Sequence, residues 1–136
     1  MGFDILFHDK DRILEVVYPA SPSARDVAEY IHRTRAIVDS IDGPWSCLVD
    51  QRLMTVLSPD LLVSLADLNA HAQKKGMIRT ARVVAGAVSE VQARRMARAA
   101  VLSLETFKSR EDALAWLRSP WVPPATPSRP PAGPSR

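Results

Sequence analysis

The residues that could take part in chemistry are few, and they form no catalytic or metal-binding pattern. The three histidines fall on three different predicted elements: His8, His32 and His71. The single cysteine, Cys47, excludes a disulfide within the chain and a cysteine-based zinc site. Ser58, His71 and Asp50 are the residue types of a hydrolase triad, but no Gly-x-Ser-x-Gly elbow accompanies them. We therefore predict a protein without enzyme activity, metal or cofactor.

The best candidate for a functional surface is the polar stretch after the third predicted strand. Asp50, Gln51 and Arg52 follow an apolar run, at the carboxyl end of a strand, where open α/β sheets bind their ligands. Ser58 begins the next predicted helix, where a phosphate would meet free N–H groups and the positive end of the helix dipole. We predict a contact surface of these four residues, with Ser58 as a possible phosphorylation site. An internal Asp50–Arg52 pair and a Ser58 that only caps its helix are the alternatives.

A second candidate surface is basic. Arg94 and Arg98 lie one turn apart on a predicted helix, with Arg95 beside them and Arg79 and Arg82 nearby in the sequence. Such a patch would attract an acidic protein, nucleic acid or anionic lipid, of which the last two are less favoured. No aromatic residue interleaves with these arginines, which argues against a platform that stacks single-stranded nucleic acid. The alternative is a solvated face that pairs with the acidic half of the chain. Residues 1–72 hold 11 acidic and 6 basic side chains, whereas residues 73–118 hold 4 and 10. Self-association through these opposed halves, as a homo-oligomer, therefore stays open.

The overall composition is that of one globular domain. The chain has 136 residues, of which 46% are apolar and 24% charged. Its net charge of +3 is only a weak indication of nucleic-acid binding. No apolar run reaches the ~18 residues of a membrane span, and the N-terminal residues lack the pattern of a signal peptide. We expect a cytoplasmic protein.

The C-terminal segment differs from the rest. Seven of the 11 prolines lie in residues 119–136, which contain few apolar side chains. This composition predicts a disordered or polyproline II tail. Its repeated Pro-x-x-Pro spacing would suit a partner that recognises polyproline, and a plain tether is the alternative.

Strands and helices alternate before the tail. Residues 3–8 and 12–18 predict a β-hairpin, and helix starts are predicted at Ser21-Pro22, Ser58-Pro59, Ser89 and Ser109. Strands are predicted at 45–49, 80–85 and 102–107. The order β-β-α-β-α-β-α-β-α predicts an α/β fold with a five-stranded mixed sheet covered by four helices.

This order and two local signatures resemble the SpoIIAA-like proteins, the STAS/SEC14-like group. The likeness spans residues 3–118. It rests on the hairpin followed by βα repeats, on the Leu48-Val49-Asp50 strand that leads to the helix at Ser58, and on the ending from Phe107 to Leu117. The resemblance implies a STAS-like domain in residues 1–118, with residues 119–136 as a separate tail.

The resemblance also implies a class of function. Anti-sigma-factor antagonists of this group regulate by contact with another protein, through a switch with an Asp-Ser-Ser-Gly sequence. Here Asp50 is followed by Gln51, Arg52 and Leu53, so the usual phosphoswitch motif is missing. The SEC14 side of the resemblance implies, as the alternative, a carrier or sensor of a lipid or another small molecule. A self-assembling structural protein is the third possibility.

Overall fold

Five strands and three helices are formed by the described residues, 2–54, 58–86 and 103–120, of the computed structural model. The strands are β1 (Asp4–His8), β2 (Ile13–Val17), β3 (Trp45–Asp50), β4 (Met77–Val83) and β5 (Ser103–Phe107). The helices are α1 (Ala24–Ser40), α2 (Pro59–Lys74) and α3 (Arg110–Arg118). None of these helices has the length and hydrophobicity needed to cross a membrane.

The five strands form one mixed sheet in the order β1-β2-β3-β4-β5. β1 and β2 are the antiparallel hairpin, with Asp4 opposite Val17 and His8 opposite Ile13. The pairs β2–β3, β3–β4 and β4–β5 are parallel. The predicted α/β class and five-stranded mixed sheet are therefore confirmed.

The sheet has a core on each face. On one face, α1 and α2 pack against alternate residues of the strands, among them Leu14, Cys47 and Val49. On the other face, α3 packs against Leu48 and Ala81, among others. Because β3 faces both cores, its first five residues are all buried, which explains why its sequence is apolar without alternation.

The helix starts follow from side-chain caps. Ser58 and Ser109 cap α2 and α3, as predicted. The start predicted at Ser21-Pro22 is wrong by two residues, because Ser23 caps α1. The Ser23 hydroxyl accepts from the backbone N–H of Asp26 at 3.0 Å, and the Asp26 carboxylate accepts from the backbone N–H of Ser23 at 3.0 Å. This reciprocal pair satisfies two backbone donors at the start of the helix at once.

β4 begins at Met77, three residues before the predicted position. Gly76 ends the preceding turn with a φ of +107°, and a Cβ there would lie 2.8 Å from the carbonyl oxygen of Gly43. The backbone N–H of Trp45 donates to the Gly76 carbonyl at 3.1 Å, so β3 and β4 start side by side. The close approach of two loops therefore requires glycine at position 76.

Some predictions lie outside the described residues. These are the fourth helix, predicted to start at Ser89, with its basic residues Arg94, Arg95 and Arg98, and the part of the tail after Pro120.

Candidate functional site

Asp50 and Arg52, both predicted on the contact surface, form a closed pair at the end of β3. The Arg52 guanidinium donates from Nε to Asp50 Oδ1 at 3.0 Å and from Nη2 to Oδ2 at 2.7 Å. The backbone N–H of Arg52 also donates to Oδ1, at 3.1 Å. The internal pair that the sequence left as an alternative is thus present, and it fixes the direction in which the half-exposed Arg52 side chain points.

The electrostatics of this pair keep both groups charged. Burial at the strand end raises the pKa of Asp50, but the hydrogen bonds from Arg52 outweigh burial and leave the pKa below its ordinary value. The same hydrogen bonds raise the pKa of Arg52. The loop therefore presents the Arg52 guanidinium in a fixed position, with part of its charge balanced by Asp50. The Asp50 carboxylate is occupied by these hydrogen bonds and is not available as a general base.

Gln51 points away from this surface. Its side chain is fully buried, and its Oε1 accepts from Nη1 of Arg82 at 3.0 Å. The backbone of Gln51 is also held, since its N–H donates to Val83 and its carbonyl accepts from Met54. Gln51 was predicted on the contact surface, but its side chain is buried. Its role is instead to hold the loop after β3 to Arg82 and Val83 of β4.

Arg79 and Arg82 do not lie on an exposed basic face, although the sequence grouped them with one. Both are buried, with exposed fractions of 5% and 1%. Arg79 stacks over the Trp116 ring at 4.8 Å and donates from Nη2 to the carbonyls of Leu117 and Ser119, each at 2.8 Å. Arg79 therefore stabilises the C-terminal end of α3, where the helix dipole favours a cation. Neither residue is available to an anionic partner at the surface.

Cys47 is a buried residue of the core between the sheet and α1 and α2. Its burial raises the pKa of the thiol to about 12, although the Arg82 charge acts in the opposite direction. Burial likewise raises the pKa of the nearby Tyr30 hydroxyl. A thiol in this environment stays protonated and does not act as a nucleophile.

Glu15 is the site residue that the sequence reasoning missed. Its carboxylate accepts from Arg110 Nε at 2.6 Å and Nη2 at 2.9 Å, and its Oε1 lies 2.8 Å from His8 Nε2. The Arg110 hydrogen bonds lower the pKa of Glu15 to about 2, against the effect of burial, and His8 adds to the lowering. A single acidic residue within the apolar run of β2 was the signal that could have indicated a buried ion pair.

Glu15 and Arg110 lie beside the Asp50–Arg52 pair. Glu15 lies opposite Leu48 of β3, two residues before Asp50, and α3 begins at Arg110. The charge of Arg110 favours the ionised forms of both carboxylates. A charged cluster of four residues thus extends from the middle of β2 to the carboxyl end of β3: Glu15, Asp50, Arg52 and Arg110.

Ser58 is exposed at the start of α2, where its hydroxyl accepts from the backbone N–H of Leu61 at 3.4 Å. This is the cap that the sequence offered as the simpler explanation of Ser58. Two large apolar side chains are exposed to solvent on the loop and on α2: Leu53, at 65%, and Val63, at 60%.

The residues considered as a hydrolase triad, Ser58, His71 and Asp50, do not form one. Ser58 and His71 lie at opposite ends of α2, and His71 Nε2 lies 2.8 Å from Oδ1 of Asp39 on α1. In the described part of the chain, no three His, Cys, Asp or Glu residues are grouped so that they could hold a metal ion.

Comparison with known proteins identifies the fold. An uncharacterized protein of the DUF3478 family with a SpoIIAA-like fold, from Shewanella loihica PV-4, superposes with a TM-score of 0.67 at 21% identity, over 85% of this chain and 94% of that one. An anti-sigma factor antagonist from Mycobacterium paratuberculosis superposes with a TM-score of 0.60 at 16% identity, over 86% of this chain and 95% of that one. No protein-family model matches the sequence, and no curated protein matches it. The chain thus has the SpoIIAA-like fold that its sequence pattern resembles.

Proposed function

We propose that this chain is a non-enzymatic regulatory domain that acts by binding another protein. The proposed contact surface consists of Asp50, Arg52 and Leu53 of the loop after β3, together with Ser58 and Val63 of α2. Its fold is shared with an anti-sigma factor antagonist, which supports a regulatory role. Fold alone does not determine function, so the proposal depends on the surface itself.

The observation that carries the proposal is the exposure of Leu53 next to a fixed arginine. Leu53 is 65% exposed, and burial of such an apolar side chain under a partner lowers the free energy of the complex. Arg52 beside it is held by two hydrogen bonds to Asp50, so little side-chain entropy is lost when a partner binds it. Arginine is, with tryptophan and tyrosine, one of the residues that most often contribute strongly to binding at protein interfaces.

Ser58 is the proposed site of control. Its hydroxyl is exposed, and a phosphate there would remain close to the N-terminal N–H groups of α2, where it is stabilised by the helix dipole. The added negative charge would also change the potential at Arg52 and Leu53. Phosphorylation would therefore alter partner binding without unfolding the helix.

Affinity capture with the purified full chain as bait tests this surface. Arg52→Glu, Leu53→Ser and Ser58→Asp should each change the set of captured proteins, while circular dichroism spectra stay like that of the unchanged chain. Arg35→Glu, the same charge reversal at an exposed position of α1, is the matched control and should capture the original set. Identical capture by all four variants would refute the proposed surface.

A further inference from the structure

A cleft of about 370 Å³ opens where β2 ends. Its lining is mixed, with an apolar part and two acidic side chains: Asp4, Val17, Tyr18, Pro19, Asp26 and Leu53. The hydrogen bonds between Asp26 and Ser23 lower the pKa of Asp26, so this carboxylate is ionised at neutral pH. An apolar cleft with acidic groups suits an extended apolar segment that carries a cation.

A strip of the sheet leads to this cleft. Leu6 lies midway along β1 and is 59% exposed. It lies between Asp4 and His8 on the same side of the strand, and His8 reaches Glu15, which is bound by α3. The α3 helix packs on the sheet beyond β2, so this side of β1 is left uncovered at Leu6. The strip therefore runs from the turn between β1 and β2 to Asp4 at the edge of the cleft.

The end of α3 lies at the same end of the sheet as the turn between β1 and β2, with the Ser119 carbonyl bound by Arg79 of β4. Arg118 donates to Asp11 in the turn between β1 and β2 from Nε at 3.1 Å and from Nη2 at 3.0 Å. The cleft lies at the other end of the same hairpin, since Asp4 is opposite Val17. The five residues of β1 at ~3.3 Å each span roughly 17 Å, and the three strand spacings from β4 to β1 add roughly 14 Å across the sheet, so the direct distance is roughly 22 Å.

The tail has the length to bridge this distance. A polyproline II segment extends by about 3.1 Å per residue, so about seven residues after Pro120 reach the cleft. In sequence, Pro127, Arg129, Pro130 and Pro131 stand at and just after this distance from Pro120. The segment 119–136 has two arginines and no acidic residue, so its charge is complementary to that of the cleft.

We propose that the cleft at the end of β2 binds the proline-rich tail of the same chain. The prolines would pack on Val17, Pro19 and Leu53, and little backbone entropy would be lost because a polyproline II segment is already extended before it binds. Arg129 would pair with Asp4 and Asp26. The tail would thereby cover Leu53 and compete with a partner at the contact surface. That last consequence rests on the proposed function, whereas binding of the tail in the cleft does not.

Paramagnetic broadening in the full chain tests the docking. A spin label on Ser128→Cys should greatly weaken the amide signals of Asp4, Val17 and Leu53, and it should leave that of Lys74, at the far end of α2, unchanged. Cys47 is buried and should not take up the label. Equal effects on all four amides, or no effect on the cleft, would overturn the proposal.

A charge exchange tests the pairing. Asp4→Lys should reduce the broadening at Val17 and Leu53, and adding Arg129→Glu to that variant should restore it. Asp67→Lys is the matched control and should leave the broadening unchanged. An Asp4→Lys variant with full broadening would overturn the role of Asp4.

A mixed sample separates the chain's own tail from that of a second copy. Isotope-labelled chains without a spin label are mixed with spin-labelled chains that carry no isotope. Docking within one chain predicts no broadening in this mixture. Broadening there would show that the tail binds a second copy and would contradict the proposal.

Discussion

Arg110 and Glu15 join the first turn of α3 to the middle of β2 through two parallel hydrogen bonds, of 2.6 and 2.9 Å, although 95 residues separate them. A bidentate pair of this kind fixes both distance and orientation. Since Asp50 ends the next strand, the pair also determines where α3 lies beside the proposed contact loop. The position of the last helix is therefore linked to the charged cluster.

Removal of the Arg110 guanidinium should leave the partly buried Glu15 carboxylate without its two hydrogen bonds from arginine. We expect Arg110→Ala to lower the free energy of unfolding by about 1–2 kcal/mol, a value reduced by the partial exposure of Arg110. Urea unfolding measures it. The control is Arg118→Ala, which breaks the more exposed pair with Asp11 and should cost less than about 1 kcal/mol. Equal losses in the two variants would contradict a special role for the Glu15 pair.

Acid should lower the free energy of unfolding by protonating the Glu15 carboxylate. Folding lowers the pKa of Glu15 from its ordinary value of 4.5 to about 2. The ionised group therefore stabilises the folded state above pH 4.5, and this contribution is lost as the pH falls from 4.5 towards 2. Urea midpoints measured across this range should decline less steeply for Glu15→Gln. Arg110→Gln should make the decline smaller and confine it to pH values nearer 4.5, because it removes the main cause of the lowered pKa and brings the folded-state pKa closer to the unfolded-state value. A Glu15→Gln profile parallel to that of the unchanged chain would refute this assignment.

Gln51 should contribute more to stability than is usual for a polar residue in a loop, because it is buried and bonded to Arg82. Gln51→Leu removes the acceptor for buried Arg82, and we expect a loss of about 1–3 kcal/mol in the free energy of unfolding. Gln51→Glu keeps an acceptor and adds an opposite charge, so its loss should be smaller. Urea unfolding of both variants checks the order, and a greater loss in Gln51→Glu would contradict it.

Much of the fold could be predicted because its signals are local. The caps at Ser58 and Ser109 and the apolar strand from Trp45 each depend on residues adjacent in sequence. The cap of α1 was assigned to Ser21 because Pro22 resembles a first helical residue, whereas the reciprocal bonds of Ser23 and Asp26 decided it. Local patterns thus identify the elements better than their ends.

The roles of the arginines could not be predicted from composition. Arg79 and Arg82 were counted with a solvated basic face, because a charge count does not show which partners a fold supplies. Arg79 finds two carbonyls 38 and 40 residues away and an aromatic ring on α3. Arg82 finds Gln51, 31 residues earlier. These partners depend on tertiary packing, and so does the bidentate pair of Glu15.

Cys47 offers a direct test of core burial. Its pKa of about 12, against an ordinary 9.0, lowers the thiolate fraction at pH 8 by about a thousandfold. We expect a disulfide reagent at pH 8 to react with the folded chain at least that much more slowly than with the chain in urea. Gln51→Leu should speed the reaction, because the loop above Arg82 and Cys47 opens more often. Arg118→Ala, on the other face of the sheet, is the control and should react like the unchanged chain. Rapid reaction of the folded, unchanged chain would show that the core between β3 and α1 is accessible and would contradict the packing described.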